Sequence, residues 1–125
     1  AYNIARNKVA AYYDTAFAEI NQLSTPSRQN GSTHVFHQYT LTTKGIDRDG
    51  LRAYLSEQGI PAMIYYPVPL HLQKAYQDPR YNKGDFPNTE DLSASVISLP
   101  IHTEMTTEQL ETITNAVKTF IQNHA

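Results

Sequence analysis

Five histidines and no cysteine set the limits of what chemistry this chain of 125 residues could perform. A thiolate nucleophile, a dithiol redox pair and a cysteine-ligated metal are excluded, and imidazoles and phenols are among the groups that remain. They are densest in Tyr65-Tyr66-Pro67-Val68-Pro69-Leu70-His71, where two phenols and an imidazole sit on backbone stiffened by two prolines. A rigid turn of this kind at a strand end is a common place to hold a ligand. The same residues also read as core tyrosines followed by strand-ending prolines, and composition does not separate the two. A proline-rich peptide motif is the weaker reading, because the preceding strand would bury part of it.

The remaining histidines are scattered. His34 and His37 stand three apart on an expected strand, so they point to opposite faces and cannot share a metal. His71 and His102 each follow a strand end after a proline, and His124 lies in the last helical turn. A metal site needs three or four convergent ligands, so a structural or solvated role is the ordinary one for each histidine alone. No nucleophile elbow, phosphate loop, dinucleotide fingerprint or H-E-x-x-H pair occurs.

Spacing defines the elements that must position these groups. Ala5, Val9, Tyr12, Ala16, Ile20 and Leu23 recur at steps of three or four and predict one helix from Tyr2 to Leu23. Ala1 and Tyr2 are poor caps, so the chain reads as starting inside a helix, as if a segment upstream had been removed. Pro26 and Asn30-Gly31 mark a loop through Ser32; Asn30-Gly31-Ser32 also fits a glycosylation sequon, a short pattern that chance supplies readily. His34 to Thr42 predicts a strand with Val35, His37, Tyr39 and Leu41 on one face and His34, Phe36, Gln38 and Thr40 on the other.

Asp47 is placed to cap a second helix carrying Leu51, Tyr54 and Leu55, with Ile46 stapling onto Leu51 and Gly59 supplying a left-handed stop. Ile60 to Tyr66 is nearly continuously apolar and predicts a second strand covered on both faces and ended by Pro67. Asn88 is expected to cap a short helix through Ser95, followed by a third strand over Val96 to Pro100. Thr106 and Gln109 form a capping box, with Met105 stapling onto Leu110, for a final helix that presents Leu110, Ile113, Val117, Phe120 and Ile121 on one face.

The expected order is α-β-α-β-α-β-α: an α+β (two-layer α/β) domain in which a small three-stranded sheet is covered by helices. The connection through the Asp47 helix is long enough for a crossover, so the first two strands either lie parallel or are separated in the sheet. A chain of this length supports one core, and no repeat or low-complexity tract divides it. Ten Lys and Arg against twelve Asp and Glu give a formal charge of −2 with the signs interspersed, which offers no footprint for nucleic acid or an anionic membrane. There is no membrane-length apolar run and no signal-peptide core at the start, so a soluble cytoplasmic chain is expected.

Five blocks of the sequence carry a resemblance. They are His34-Val35-Phe36-His37-Gln38-Tyr39-Thr40; Asp47-Arg48-Asp49-Gly50-Leu51 leading to Tyr54-Leu55 and Gly59-Ile60-Pro61; Tyr65-Tyr66-Pro67-Val68-Pro69-Leu70-His71-Leu72-Gln73-Lys74-Ala75-Tyr76; Gly84-Asp85-Phe86-Pro87-Asn88-Thr89-Glu90; and Ser98-Leu99-Pro100-Ile101-His102 with Met105-Thr106-Thr107-Glu108-Gln109. In order and approximate spacing they resemble the C-terminal domain of the DegT/DnrJ family of sugar-nucleotide aminotransferases, over nearly the whole chain.

The resemblance implies the small domain of a pyridoxal-phosphate enzyme of the aspartate-aminotransferase fold, residues 1–23 being the interdomain helix and 33–125 the α/β body. Such an enzyme moves an amino group, commonly from glutamate, onto a keto-sugar nucleotide in cell-surface or secondary-metabolite sugar biosynthesis. The family's cofactor lysine lies in the larger N-terminal domain. Lys8, Lys44, Lys74, Lys83 and Lys118 do not match its motif, so no catalytic, cofactor-binding or metal residue is assigned here and the isolated chain is expected to be inactive. By resemblance, Tyr66 and His71 face the active site, His71 near substrate phosphate or sugar hydroxyls and Tyr66 as a stacking or hydrogen-bonding group, with His37 a weaker third. The implied partners are the missing N-terminal domain, a second subunit, an amino-acid donor and the keto-sugar nucleotide. The surfaces that domain would cover are expected to drive self-association. The alternatives are a free-standing, non-catalytic α/β binding or regulatory module, and a sensor descended from the enzyme.

Overall fold

The computed structural model describes residues 1–124. The three- and four-residue periodicity produces helix α1 (Tyr2–Phe17), which buries Val9, Ala10, Tyr13 and Phe17 and has no side-chain cap at Ala1. It ends earlier than the periodicity predicts. Ile20 N–H bonds to Phe17 O and Leu23 N–H to Ile20 O, so successive turns keep the same apolar side inward without helix, and Leu23 enters strand β1 (Leu23–Ser24).

Strand β2 (Tyr39–Thr43) keeps the expected alternation only in its second half: Tyr39, Leu41 and Thr43 are buried, and Thr40 and Thr42 half-buried. Before Tyr39 the expected faces fail. Val35 is exposed and Phe36 is wholly buried with φ +45°. The Phe36 N–H donates to Nδ1 of His34 at 3.0 Å, a local side-chain bond that replaces a ladder bond and turns the chain. Asn7 on α1 holds this bend by donating to the His34 carbonyl at 2.7 Å.

Helix α2 (Arg48–Glu57) starts and stops as expected. Asp47 accepts from Gly50 N–H at 2.9 Å. At the other end Gly59, at φ +73°, donates to Ser56 O while Ile60 N–H reaches Leu55 O at 2.8 Å, a Schellman closure that returns Ile60 to the core beside Leu55.

The expected second strand over 60–66 is not a strand. Met63 alone pairs, exchanging both backbone bonds with Ser98. Pro61 and Pro67 have no N–H to donate, and Tyr66 at φ +58° turns the chain out of extended geometry, so the ladder has nowhere to grow. Ile60 and Ala62 are buried, whereas Met63, Tyr65 and Tyr66 are exposed, so the apolar run is not covered on both faces.

Two 3₁₀ turns follow, Leu70–Leu72 and Lys74–Tyr76, then helix α3 (Pro87–Ser95). Phe86, not Asn88, takes the cap position, and Pro87 opens the helix, its fixed φ and missing N–H suiting the first turn. Strand β3 (Val96–Leu99) leads to helix α4 (Thr107–His124), where the capping box is formed: Thr106 N–H donates to Gln109 Oε1 at 3.0 Å and Gln109 N–H to Thr106 Oγ1 at 3.2 Å.

The sheet runs β1-β2-β3, antiparallel throughout, with Leu41 opposite Ile97 and Thr40 opposite Ser98. Met63 meets β3 on its other side, so the first two apolar segments are separated in the sheet by β3. Helix α4 packs on α1 and α2, α2 also meets β3, and α3 meets β2. The result is an α+β domain. Its core holds Tyr13, Phe17, Phe36, Tyr39, Leu41, Leu51, Leu55, Ile97 and Val117, all fully buried.

Two core phenols are polar exceptions with partners. Tyr13 OH donates to Pro100 O at 2.8 Å and Tyr39 OH to Asp14 Oδ1 at 2.7 Å, while Asp14 also pairs with Arg28. Burial pushes both phenols well above the usual tyrosine range, and the Asp14 carboxylate pushes Tyr39 further.

Candidate functional site

Between Met63 and Pro87 the backbone finds its partners locally. Leu72 N–H bonds to Pro69 O, Gln73 N–H to Leu70 O and Tyr76 N–H to Gln73 O, and the Gln73 side chain donates to Val68 O. These local bonds give the loop its turns, while most of its large side chains face outward. Tyr66 is 83% exposed, on a left-handed backbone that only the surrounding prolines and turn enforce.

His71 behaves differently from its neighbours. Its side chain is only 9% exposed, with Nε2 3.0 Å from Oε1 of Glu90, itself 16% exposed. The same Oε1 accepts from Gly84 N–H at 2.7 Å, and the imidazole lies against Phe86 with ring centroids 4.8 Å apart. The Gly84 N–H, followed by the His71 bond, holds the Glu90 carboxyl below its ordinary range. One carboxylate thus ties the 3₁₀ turn, the Gly84 turn and α3 together. Beside it opens a cleft of about 390 Å³ lined by His71, Tyr76, Asp78, Tyr81, Phe86 and Thr89. A second groove of about 550 Å³ is formed by Tyr66, Pro67, Val68, Leu72, Gln73 and Lys74.

Tyr66 and His71 therefore stand on one loop but line separate cavities that share no residue. His37 lines neither: it stands exposed after the Phe36 bend. His102 accepts from the Glu104 N–H, and His124 donates to the Phe120 carbonyl, both local bonds. Glu90, Gly84 and Phe86 are neighbours of His71 that spacing alone did not mark. The block from Gly84 to Glu90 was visible as part of the resemblance, yet nothing in it signalled a bond to a histidine nineteen residues away.

Among the described residues no three His, Asp or Glu side chains converge as metal ligands, and no helix is long and apolar enough to cross a membrane. The chain also lacks the makings of a complete pyridoxal-phosphate site. Lys8, Lys44, Lys74 and Lys83 are exposed and Lys118 is half-buried on α4, so none has the enclosed setting that activates an imine-forming amine. What the arrangement offers is recognition: an imidazole with a fixed partner, phenols and a stiff apolar turn.

Comparison with known proteins places this geometry. The profile of the DegT/DnrJ/EryC1/StrS aminotransferase family matches residues 2–118. The chain is similar to the pleiotropic regulatory protein of Geobacillus stearothermophilus, 38% identical over 122 residues, which are 96% of this chain and 32% of that one. It is also similar to the dTDP-3-amino-3,6-dideoxy-alpha-D-galactopyranose transaminase of Aneurinibacillus thermoaerophilus, 33% identical over 118 residues, 94% and 31% of the two chains. Among solved structures it resembles S. venezuelae DesV in complex with a ketimine intermediate (TM-score 0.87, 31% identity, 95% of this chain and 32% of that one). A DegT DnrJ EryC1 StrS aminotransferase from Brucella abortus matches with TM-score 0.82 and 32% identity over 95% of this chain and 31% of that one. The chain spans about a third of the length of the curated relatives it matches. A profile that runs almost from end to end, on a fold shared with these structures, means that the chain belongs to the DegT/DnrJ/EryC1/StrS aminotransferase family.

Proposed function

We propose that this chain is the C-terminal small domain of a pyridoxal-phosphate-dependent aminotransferase that transfers an amino group from an amino acid, glutamate by preference, to a keto-sugar nucleotide. The observation that carries the reading is the family match over a third of the relatives' length, with relatives named as nucleotide-sugar transaminases and a solved neighbour holding a ketimine. Pyridoxal phosphate supplies the electron sink for such a transfer. Since the residues here do not form its site, the imine lysine and phosphate cradle belong to an N-terminal domain outside this chain, and the isolated chain is inactive.

This domain's share is one wall of the cleft. The wall is the Tyr66-to-His71 turn, which presents Tyr66 outward for stacking or hydrogen bonding and keeps His71 beside the smaller cleft. The other wall comes from the N-terminal domain, in a homodimer working in the cytoplasm. Large exposed aromatics on a loop built of 3₁₀ turns suit a surface covered in the complete enzyme.

A regulatory reading has one observation in its favour, the 38% identity to a protein named as a pleiotropic regulator. One experiment separates the two. Pyridoxal phosphate is titrated, with absorbance and borohydride trapping, into this chain and into the chain extended upstream through its native reading frame. Trapping in the extended chain alone supports the aminotransferase. Trapping in neither removes catalysis and favours a regulatory or sensing module.

A further inference from the structure

We propose that Glu90 is a positioning residue that, together with the Gly84 N–H, holds the neutral His71 ring as its Nε2–H tautomer and so presents Nδ1 as a bare hydrogen-bond acceptor. The argument is one of donors and acceptors around a single oxygen. Oε1 of Glu90 accepts from the Gly84 N–H at 2.7 Å, and the nitrogen facing it from His71 is Nε2, 3.0 Å away. A backbone N–H can only donate, so this oxygen is an acceptor and the hydrogen on the His71 side must be carried by Nε2. A neutral imidazole holding its hydrogen there has a lone pair at Nδ1.

Nδ1 makes no hydrogen bond to any described residue and is not sealed away: among the described residues the one enclosed side-chain polar atom without a partner is Nε of Arg6. The ring cannot easily swing to exchange its nitrogens, because Phe86 packs against it and its side chain is only 9% exposed. An acceptor fixed beside a carboxylate takes a hydroxyl or N–H donor and repels an anion. Of the two contacts expected for His71, sugar hydroxyl or phosphate, the neutral ring held this way selects the hydroxyl.

The functional consequence rests on the aminotransferase reading, while the tautomer does not, and the experiment keeps them apart. The ¹⁵N resonances of His71 are followed in this chain across pH to the neutral ring. Protonation at Nε2 with a bare Nδ1 is expected, and protonation at Nδ1 overturns the proposal in the wild-type spectrum alone, whatever the variants do. In Glu90→Ala, with folding verified by the dispersed amides of α4, the tautomers mix, while Glu90→Gln keeps Nε2–H because its amide oxygen can accept both bonds; an unchanged tautomer in Glu90→Ala overturns the role of Glu90. At a pH where these resonances report the neutral ring, inorganic phosphate titrated into the chain leaves them in place, and a saturable shift overturns the selection of a hydroxyl.

In the extended enzyme, Glu90→Ala raises KM for the keto-sugar nucleotide by about tenfold, the cost of one misdirected hydrogen bond, and Glu90→Gln restores it. An unchanged KM refutes the positioning role in recognition. An extended chain that does not transaminate, with the tautomer as stated, removes the proposed function and leaves the positioning intact.

Discussion

Aromatic residues in the sheet-facing core and in the loop from Met63 to Phe86 are used in opposite ways. In the core, Tyr13, Phe17, Phe36 and Tyr39 are wholly buried, with the Tyr13 and Tyr39 rings 4.9 Å apart and each phenol given a hydrogen-bond acceptor. In the loop, Tyr65, Tyr66, Tyr76, Tyr81 and Phe86 are between 41% and 83% exposed. Residue type does not explain the difference. The core residues sit on α1 and β2 or at the bend before β2, so each ring is directed into a shared layer. The loop is held by 3₁₀ turns and side-chain clasps, and its prolines keep all but Met63 out of the sheet. One region spends its aromatics on stability and the other keeps them available for contact.

That contrast breaks most visibly at Leu41, which is fully buried opposite Ile97. Leu41→Ala should cost about 3 kcal/mol, within the usual range for a buried leucine, measured by urea unfolding of this chain. A loss below about 1 kcal/mol would show that the β2 layer is not the core it looks to be. The α4 capping box contributes less. Thr106→Ala should cost about 1 kcal/mol in the same assay, while Asn88→Ala should change little, because Asn88 lies inside α3 and Phe86 holds the cap position.

Titration separates the regions by sign. The folded pKa of Tyr13 and of Tyr39 is raised, so above about pH 10 the unfolded chain releases phenol protons that the folded chain retains, and stability falls as pH rises. Tyr39→Phe should flatten that alkaline loss, read from unfolding curves at a series of pH values. Glu90 works the other way. Its folded pKa is depressed, so the clasp is fully formed above the unfolded glutamate value and is lost as pH falls through the lower folded one. Amide exchange at Gly84 should rise in that acid window, before the core opens.

The smallest stability effect belongs to the most exposed aromatic. Tyr66→Ala should leave the stability of this chain within about 0.5 kcal/mol of the parent, and the proposed function adds that it raises KM for a keto-sugar nucleotide in the extended chain. A large loss of stability would place Tyr66 with the core and erase the distinction between the regions.

How far all of this was legible in the residues varies with the range of the interaction responsible. The Asp47 cap, the Gly59 stop, the Thr106–Gln109 box and the apolar face of α4 were all readable, because each is decided within one or two helical turns of chain. The five blocks were readable too, and they carried the family. The apolar run at 60–66 misled, since its residues are good strand formers and only the surrounding prolines and the turn at Tyr66 keep all but Met63 out of the ladder. Phe36 misled for a related reason: the bond from its N–H to His34 overrode an alternation that propensity favoured.

The sequence by itself determined the class of domain, the ends of α2, the start of α4 and the family, since these follow from local periodicity, capping chemistry and ordered motifs. Tertiary structure decided the antiparallel order of the strands, the separation of the first two apolar segments by β3, and the displacement of His37 from the loop. It also decided that His71 and Glu90 meet across nineteen residues on the oxygen held by the Gly84 N–H. Pairings of that span depend on how the chain folds back on itself, and a pattern of neighbouring residues carries no record of it.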